Sequence, residues 1–220
     1  MTESPDGRAP TPRRKSRPHA QTAVRRNEIL EAAVEVFGRK GYSNSTLAEI
    51  AQQVNMTHAG ILHHFGSKHQ LLLDVLQFRD DTDVQNLPGQ RVPDGIEFFR
   101  HLVTTALSNA HRAGLVQTFV VLSAESVTEG HPARDYFVSR YQTLRAEALQ
   151  AFEMICAERG VVPPAQASLA AAAILAVMDG LQVQWLLDPT NVDLVAATEF
   201  AIDAILASVL EPRASILERA

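Results

Sequence analysis

Hydrophobic residues recur every three to four positions along most of this chain, with polar residues between them. This is the pattern of helices with one buried face, and it predicts a first helix over 22–40 and shorter ones over 47–54 and 58–65. A fourth helix begins near 67 and fades near Asp83. No long segment alternates in the manner of a strand, so the sequence predicts an all-α fold of about nine helices.

Capping residues mark the ends of these segments. Thr46 and Glu49 form a capping box at the start of the second helix, and Ser67 and Gln70 form another at the start of the fourth. Asn55 ends the second helix, because asparagine tolerates a left-handed backbone. Two short helices joined by a tight turn have the layout of a helix-turn-helix, which places its second helix in the major groove of DNA.

A Pro- and Gly-rich stretch over 86–95 is the clearest internal boundary. Beyond it the periodicity predicts five more helices, over 95–112, 115–128, 132–159, 165–187 and 192–210. The predicted organisation is a disordered basic tail over 1–20, a helix-turn-helix domain with its linking helix over 21–84, a helical ligand-binding and dimerisation domain over 85–212, and a tail over 213–220.

Composition narrows the class of protein. With 220 residues and 46% hydrophobic content, the chain can bury a substantial core. Its longest apolar run, Leu169–Met178, is much shorter than the roughly 18–20 residues of a membrane-spanning helix. A single cysteine, Cys156, excludes an internal disulfide, and the N-terminus lacks the apolar region of a signal peptide. These features favour a cytoplasmic protein without a membrane partner.

Charge is unevenly distributed along the chain. Residues 1–79 hold 11 Lys and Arg against 7 Asp and Glu, whereas residues 80–220 hold 9 against 18. A basic N-terminal third suits a phosphate backbone, and the tail over 1–20 is a further candidate for phosphate contact. The alternative is a solvated tail and a segregation of charge without function.

The third predicted helix has the composition of a helix that reads DNA. Ala59 and Gly60 allow its backbone to approach base edges, His58 can donate to guanine or phosphate, and His63 can donate to phosphate. Leu62, if exposed, suits a thymine methyl group. Each of these residues has an alternative role: Gly60 in tight packing, Leu62 in the core, and His63 as an ordinary surface residue.

The segment from Ile29 to Leu76 resembles the N-terminal domain of the TetR family of transcriptional regulators. The resemblance is carried by an ordered set of residues, namely Gly41-Tyr42, Thr46, Ile50-Ala51, His64-Phe65, Ser67-Lys68 and Leu71-Leu72. It implies phosphate contacts from Thr46, His63 and Lys68, and base-edge contacts from Thr57, His58, Ala59, Gly60 and Leu62. The sequence departs from the family at Leu62, where tyrosine is usual, and at His63, where an aromatic residue is usual.

The resemblance also implies a cavity for a small-molecule effector among the fifth to eighth helices, and no cofactor. Candidate lining residues are apolar or aromatic with one amide, namely Phe99, Leu102, Phe119, Leu122, Met178, Gln182 and Trp185. The alternative for each of them is a place in the core.

The last two predicted helices are the candidate dimer surface. The eighth helix is apolar around nearly its whole circumference, so it needs burial on more than one side. The family forms two-fold dimers through these helices, which implies interface roles for Leu175, Leu181, Leu186, Phe200, Ile205 and Val209. A monomer with one large core is the alternative.

The leading hypothesis is a homodimeric repressor that an effector releases from a palindromic double-stranded DNA operator. The alternative is a helical adaptor whose helix-turn-helix binds protein. An enzyme is not expected, because the sequence lacks a Gly-rich phosphate loop and a nucleophile elbow. The histidine cluster His58, His63, His64 and His69 spans a helix break without an H-E-x-x-H motif, so no metal site is expected either.

Overall fold

Nine α-helices make up the described part of the chain, which is residues 17–85, 87, 89 and 91–211 of a computed structural model. They are α1 (Arg17–Lys40), α2 (Leu47–Gln53), α3 (His58–Phe65), α4 (Lys68–Val84), α5 (Gly95–Ala110), α6 (Ala113–Glu125), α7 (Arg134–Glu158), α8 (Ala167–Leu187) and α9 (Leu194–Leu210). None of the described residues lies in a strand, which confirms the all-α prediction.

Most helix ends lie within three residues of the predicted ones, but α1 begins five residues early, at Arg17 instead of residue 22. The prediction of a tail up to residue 20 is therefore wrong for its last four residues. Pro18 lies in the first turn of α1, where its missing N–H breaks no intrahelical hydrogen bond. Residues 1–16 and the predicted C-terminal tail over 213–220 lie outside the described residues.

Side-chain caps fix the turns of the helix-turn-helix. Thr46 and Glu49 form the complete predicted capping box, with the Thr46 backbone N–H donating to the Glu49 carboxylate at 3.0 Å. Asn55 has the expected left-handed backbone, with a φ of 53°. The second box is only half formed, because the Ser67 hydroxyl accepts from the Gln70 backbone while the Gln70 amide donates to Asp74.

The N-terminal helices share one hydrophobic core with the body of the protein. Phe37, Ile50 and Leu72 from α1, α2 and α4 are fully buried in it. The same cluster continues into α6 and α7 through residues that include Phe119 and Phe137. The N-terminal helices are thus packed directly on the C-terminal domain rather than suspended from the end of α4.

Helix α1 lies close against α6, and small residues permit this approach. The Thr118 hydroxyl donates to the Val34 carbonyl at 2.6 Å, and the Gln117 amide donates to the Gly38 carbonyl at 3.2 Å. A Cβ atom on Gly38 would lie 2.6 Å from the Thr118 hydroxyl oxygen. The backbone of α1 therefore packs directly against α6, and a larger side chain at Gly38 would push the two helices apart.

A second core joins α5, α7, α8 and α9. Its centre is aromatic, with the rings of Phe99 and Phe152 at 4.8 Å and those of Phe98 and Phe99 at 5.3 Å. Ile174 of α8 and Ile202 of α9 close the cluster. This core buries one face of α5, α7 and α8, and the opposite faces of these helices border a cavity together with α4.

Gly41 ends α1 where the loop meets the C-terminus of α6. Its φ is +73°, and a Cβ atom there would lie 2.2 Å from Oε1 of Glu125. The other oxygen of that carboxylate accepts a hydrogen bond from the Tyr42 backbone N–H at 2.6 Å. Gly66 offers a matched control, because its φ is +75° and nothing lies within 4 Å of the place that a Cβ atom would take.

We predict that Gly41→Ala destabilises the protein more than Gly66→Ala. Both changes incur the backbone cost of a positive φ, about 1–2 kcal/mol, and only Gly41→Ala displaces the Glu125 carboxylate from the Tyr42 N–H, a charged hydrogen bond of about 1.5–3 kcal/mol. Urea unfolding at one protein concentration measures the difference. Equal losses of unfolding free energy would show that the Glu125 carboxylate does not hold this joint closed.

Candidate nucleic-acid interface and ligand cavity

Helix α3 has one face locked in the core and one face free. Ile61 and Phe65 are buried among the N-terminal helices, whereas His58, Ala59 and His63 are exposed. The free face therefore presents an imidazole at each end and a methyl group between them, with no bulky side chain to block a groove wall.

Leu62 lies between the two faces. It is half-buried and packs against the N-terminal core, so part of its side chain belongs to the interior. Only the exposed part of the Leu62 side chain is available for the predicted contact with a base edge. The alternative role, a place in the core, accounts for the rest.

The start of α3 combines a cap with a close contact. The Thr57 hydroxyl accepts a hydrogen bond from the Gly60 backbone N–H at 3.1 Å, and Thr57 is exposed to solvent. A Cβ atom on Gly60 would lie 3.0 Å from the terminal methyl of Met56. Packing against the preceding turn therefore gives one reason for glycine at this position, alongside close approach to DNA.

Lys68, for which the resemblance implies a phosphate contact, is half-buried and hydrogen-bonds to the protein's own backbone. Its ammonium donates to the carbonyls of Tyr42 and Ser45, at 2.5 and 2.6 Å, and lies 4.3 Å from the centre of the Tyr42 ring. Partial burial lowers the pKa of Lys68. Two of its three donors tie α4 to the loop before α2, so one remains for a phosphate. Thr46, at the end of this loop, is exposed.

Two arginines of α1 hydrogen-bond to the ends of α2 and α3 and so fix the helix-turn-helix to α1. No sequence motif identifies these two residues. Arg25 donates to the Val54 carbonyl at 2.9 Å, and Arg26 donates to the His64 carbonyl at 3.0 Å. Arg26 also pairs with Asp74 and lies over the Phe65 ring. Both guanidinium groups satisfy carbonyls at the C-terminal ends of helices, where the helix dipole favours positive charge.

The loop after α1 also contacts the turn between α6 and α7. Nδ1 of His131 accepts from the Ala133 backbone at 3.2 Å, and Nε2 lies 3.8 Å from Glu125. The His131 and Tyr42 rings meet edge to face at 5.5 Å. Burial lowers the pKa of His131, so the neutral imidazole is favoured in this joint.

A cavity of about 510 Å³ lies among α4, α5, α6, α7 and α8. Four of the predicted lining residues do line it, namely Leu102, Phe119, Met178 and Gln182. Three do not: Phe99 and Leu122 are fully buried in the two cores, and Trp185 lies outside the lining. Helical periodicity identifies a buried face, but it does not tell which buried residues border a void.

The cavity is more polar than the residues predicted from the sequence. His101, Arg140, Tyr141, Glu147 and Asp179 all contribute to its walls. The sequence contains a signal for one of these residues, Asp179, because this carboxylate directly follows the longest apolar run of the chain. A carboxylate at that place in a buried helix needs a reason.

The C-terminal half of α4 forms one wall of the cavity and is tied to its neighbours by charge. Asp80 accepts from the Tyr136 hydroxyl at 2.6 Å and pairs with Arg140 of α7. Asp83 pairs with Arg112 at 2.7 Å and with Arg79 at 3.2 Å. Burial raises the pKa of Tyr136, so its hydroxyl stays protonated and able to donate.

An apolar stripe runs along the outside of α8. It comprises Leu169, Ala172, Ala176, Val183 and Leu187, spaced by three, four or seven residues, with Gly180 within it. Leu187 is 81% exposed, and Phe200 on α9 is 77% exposed. Such a contiguous apolar face on a monomer is typical of an interface with another chain.

The predicted dimer residues divide between this surface and the interior. Phe200 is exposed, and Leu181, Leu186 and Ile205 are partly buried. Leu175 and Val209 are instead buried within the protomer, at 7% and 3% exposure. Their placement in the interface was wrong because a helix that is apolar all round does not reveal which side faces its own core.

Helix α8 is the one described helix that is long and apolar enough to cross a membrane. One side of its circumference packs against α6, α7 and α9, and the remainder, which includes the apolar stripe, is exposed or half-buried. A core helix with one exposed interface accounts for this composition. Within the described residues, no group of three His, Cys, Asp or Glu side chains could hold a metal ion.

Comparisons with known proteins match both halves of the chain to one kind of regulator. Residues 29–75 match the family described as bacterial regulatory proteins, tetR family, and residues 97–211 match the BetI-type transcriptional repressor C-terminal family. The HTH-type transcriptional regulator TtgR of Pseudomonas putida is 29% identical over 81% of this chain and 88% of its own length. The HTH-type transcriptional repressor BepR of Brucella suis is 26% identical over 89% and 97%.

Solved structures show the same fold. A SmeT–triclosan complex superposes with a TM-score of 0.69 at 17% identity, covering 86% of this chain and 93% of that one. NalD of Pseudomonas aeruginosa, described as the secondary repressor of the MexAB-OprM multidrug efflux pump, gives 0.66 at 19% identity, covering 88% and 100%.

We predict that Phe200→Glu converts a dimer to a monomer, because a charge buried in an apolar interface is desolvated without a partner. Sedimentation equilibrium measures the mass of the assembly. Val162→Glu is the control, since Val162 is 88% exposed in the loop before α8. A Phe200→Glu variant that keeps the mass of the parent would remove α9 from the interface.

Proposed function

The chain belongs to the TetR family of bacterial regulatory proteins, and we propose that it represses transcription as a homodimer released from a palindromic operator by a small molecule in the cavity. The observation that carries this proposal is the arrangement of α3 and α4. Helix α4 begins directly after α3, whose outer face is exposed, and the far end of α4 is a wall of the cavity. The cytoplasm, where the DNA lies, is the proposed place of action.

The free face of α3 supports the reading of DNA. His58 stands at the positive N-terminal end of the helix, where backbone N–H groups also favour phosphate. His63 is exposed farther along the same helix, and Thr46 and Thr57 are exposed at the caps of the two helices. We propose base-edge contacts from the start of α3 and phosphate contacts from its flanks.

A dimer through the α8 stripe and Phe200 would present two such helices. Two-fold operators place their half-sites about 34–36 Å apart, one turn of B-DNA, so the distance between recognition helices decides binding. Changes of a few ångströms in that distance are enough to lose one half-site. The regulated quantity is therefore the relative position of the two α3 helices.

Helix α4 is one path from the cavity to α3. Its 17 residues span about 25 Å, and Ser67 links it to the end of α3. The ion pairs of Asp80 and Asp83 hold its far end against α7 and the start of α6. An effector that displaces the C-terminal end of α4 tilts this helix, and the tilt moves α3 at its N-terminal end.

The α1–α6 contact is a second path. Phe119 of α6 lines the cavity and also belongs to the N-terminal core, and Glu125 at the end of α6 holds the loop after α1. An effector that moves α6 therefore moves α1, whose arginines Arg25 and Arg26 hold the ends of α2 and α3. Coupling requires that the effector binds the two conformations with different affinity.

The direct test is selection of DNA. Purified protein is mixed with sheared DNA from its own source, and retained fragments are sequenced and used for titrations between about 50 and 200 mM salt. We expect a shared two-fold symmetric sequence and a log–log salt slope of about −4 or steeper, which corresponds to several phosphate contacts. Retention without any enriched sequence would contradict the proposed function and favour protein binding by the helix-turn-helix.

We predict that His58→Ala weakens binding to the selected site by about 10-fold or more, and binding to unrelated DNA by less than about 3-fold. A lost base-edge contact removes about 1–3 kcal/mol of discrimination, whereas a lost phosphate contact weakens all sequences alike. Fluorescence anisotropy at fixed salt measures both. His111→Ala, in the exposed turn after α5, is the control. Equal losses on both DNAs would remove His58 from the base-reading set.

A further inference from the structure

The cavity carries an excess of negative charge. Five carboxylates line it, and only two guanidinium groups do. Its one lining histidine, His101, has a pKa lowered by burial, so it adds no full positive charge at neutral pH. An anionic ligand would therefore enter a cavity whose walls already repel it.

The two arginines are already paired. Arg140 is bonded to Asp80, and Arg79 lies 3.3 Å from Asp80 and 3.2 Å from Asp83. The guanidinium groups of Arg79 and Arg140 also lie over the ring of Phe119, at 4.3 and 5.1 Å from its centre. The positive charge of the cavity is thus concentrated and neutralised at the α4 side.

Asp179 and Glu147 remain on the other walls, on α8 and α7. Among the residues that the structure describes, neither carboxylate forms an ion pair. Asp179 accepts one hydrogen bond, from the Tyr141 hydroxyl at 2.6 Å. Burial raises the pKa of both carboxyls. The Tyr141 hydrogen bond and the charges of Arg79 and Arg140 offset this rise only in part at Asp179, and the charge of Arg140 offsets it only in part at Glu147.

The rest of the lining suits an apolar body with a positive charge. The rings of Phe98, Tyr136 and Tyr141 contribute to the cavity walls together with Leu102 and Met178, besides the Phe119 ring that the two arginines already contact. Aromatic faces attract cations, most strongly where water is excluded. An ionised carboxylate that is partly removed from water and has no ion-pair partner is destabilised, and a bound cation supplies that partner.

We propose that the effector of this protein is an apolar organic cation, whose positive group is bound by Asp179 with added attraction from Glu147, and whose apolar part packs on the aromatic walls. The role of that ligand as an effector rests on the proposed function. Its binding to the cavity does not, so the two can be tested separately.

Binding is tested with pairs of compounds that match in shape and differ in charge. Isothermal titration of the full chain uses tetraphenylphosphonium and tetraphenylborate, and a smaller pair, benzyltrimethylammonium and its uncharged analogue neopentylbenzene. We expect at least one cation to bind at least about 10-fold more tightly than its matched partner, since each tenfold is only about 1.4 kcal/mol. If neither cation binds more tightly than its partner, the proposal is wrong.

Variants locate the charge. Asp179→Asn and Glu147→Gln keep the size of each side chain, and the amide oxygen introduced by Asp179→Asn can still accept from Tyr141. We expect the first to weaken binding of the preferred cation by at least about 10-fold and the second by about 3-fold or more, in the range of a lost partly buried charge. Glu153→Gln, an exposed carboxylate on α7, is the matched control and leaves the affinity unchanged.

A stability measurement guards against a misfolded variant. Removing an unpaired, partly buried charge raises the melting temperature of Asp179→Asn by a few degrees, about 2–4 °C for each kcal/mol in a chain of this size. If Asp179→Asn and Glu147→Gln both melt no lower than the parent and both keep its cation affinity, Asp179 and Glu147 do not form the site and the proposal is overturned.

Release from DNA separates this proposal from the proposed function. If the cation binds in a carboxylate-dependent way but leaves the protein–operator complex intact, the ligand class stands and effector control fails. If only neutral or anionic compounds release the DNA, effector control stands and the cationic class is wrong. If no operator is retained at all, the proposed function fails, and the titrations still decide the ligand class.

Discussion

The structure depends on one hydrophobic core that belongs to both halves of the molecule. Residues of α1–α4 and residues of α6 and α7 form a single buried cluster, in which Phe37 and Leu76 are continuous with Phe119 and Phe137. A close-packed interior transmits displacement because it has few voids to absorb it. We therefore expect a displacement of α6, which borders the cavity through Phe119, to displace α3 as well. The regulation that we propose rests on this shared packing rather than on a flexible linker.

Polar contacts join the helix-turn-helix and the cavity to the helices between them. Arg25, Arg26 and Lys68 donate to backbone carbonyls and so fix α2, α3 and the loop before them to α1 and α4. At the other end, Asp80 and Asp83 fix α4 to the walls of the cavity through paired arginines. Both sets join elements far apart in sequence. The cavity is thus connected to α3 at two places, whereas Asp179 and Glu147 on its other walls form no ion pair with any described residue.

The sequence predicts the helices well and the sites less well, for physical reasons. Periodicity and caps such as Thr46 and Asn55 are local, so helix ends follow from neighbouring residues; the exception is α1, where Pro18 was taken as part of a tail. The exposure of His58 and His63 follows from the burial of Ile61 and Phe65 on the same helix. The partners of Lys68 lie more than 20 residues away and leave no local signal. Likewise Phe99 and Leu175 are apolar whether they border a cavity, a dimer or a core.

The most direct measurement of the central claim is amide hydrogen exchange of the full chain with and without its selected DNA. If the shared core couples the recognition helix to the cavity, binding of DNA slows exchange in α3 and also in α6 and the C-terminal half of α4, which touch no DNA. Slower exchange confined to residues 46–68, with α6 and the end of α4 unchanged, would contradict the coupling and leave the two domains mechanically independent.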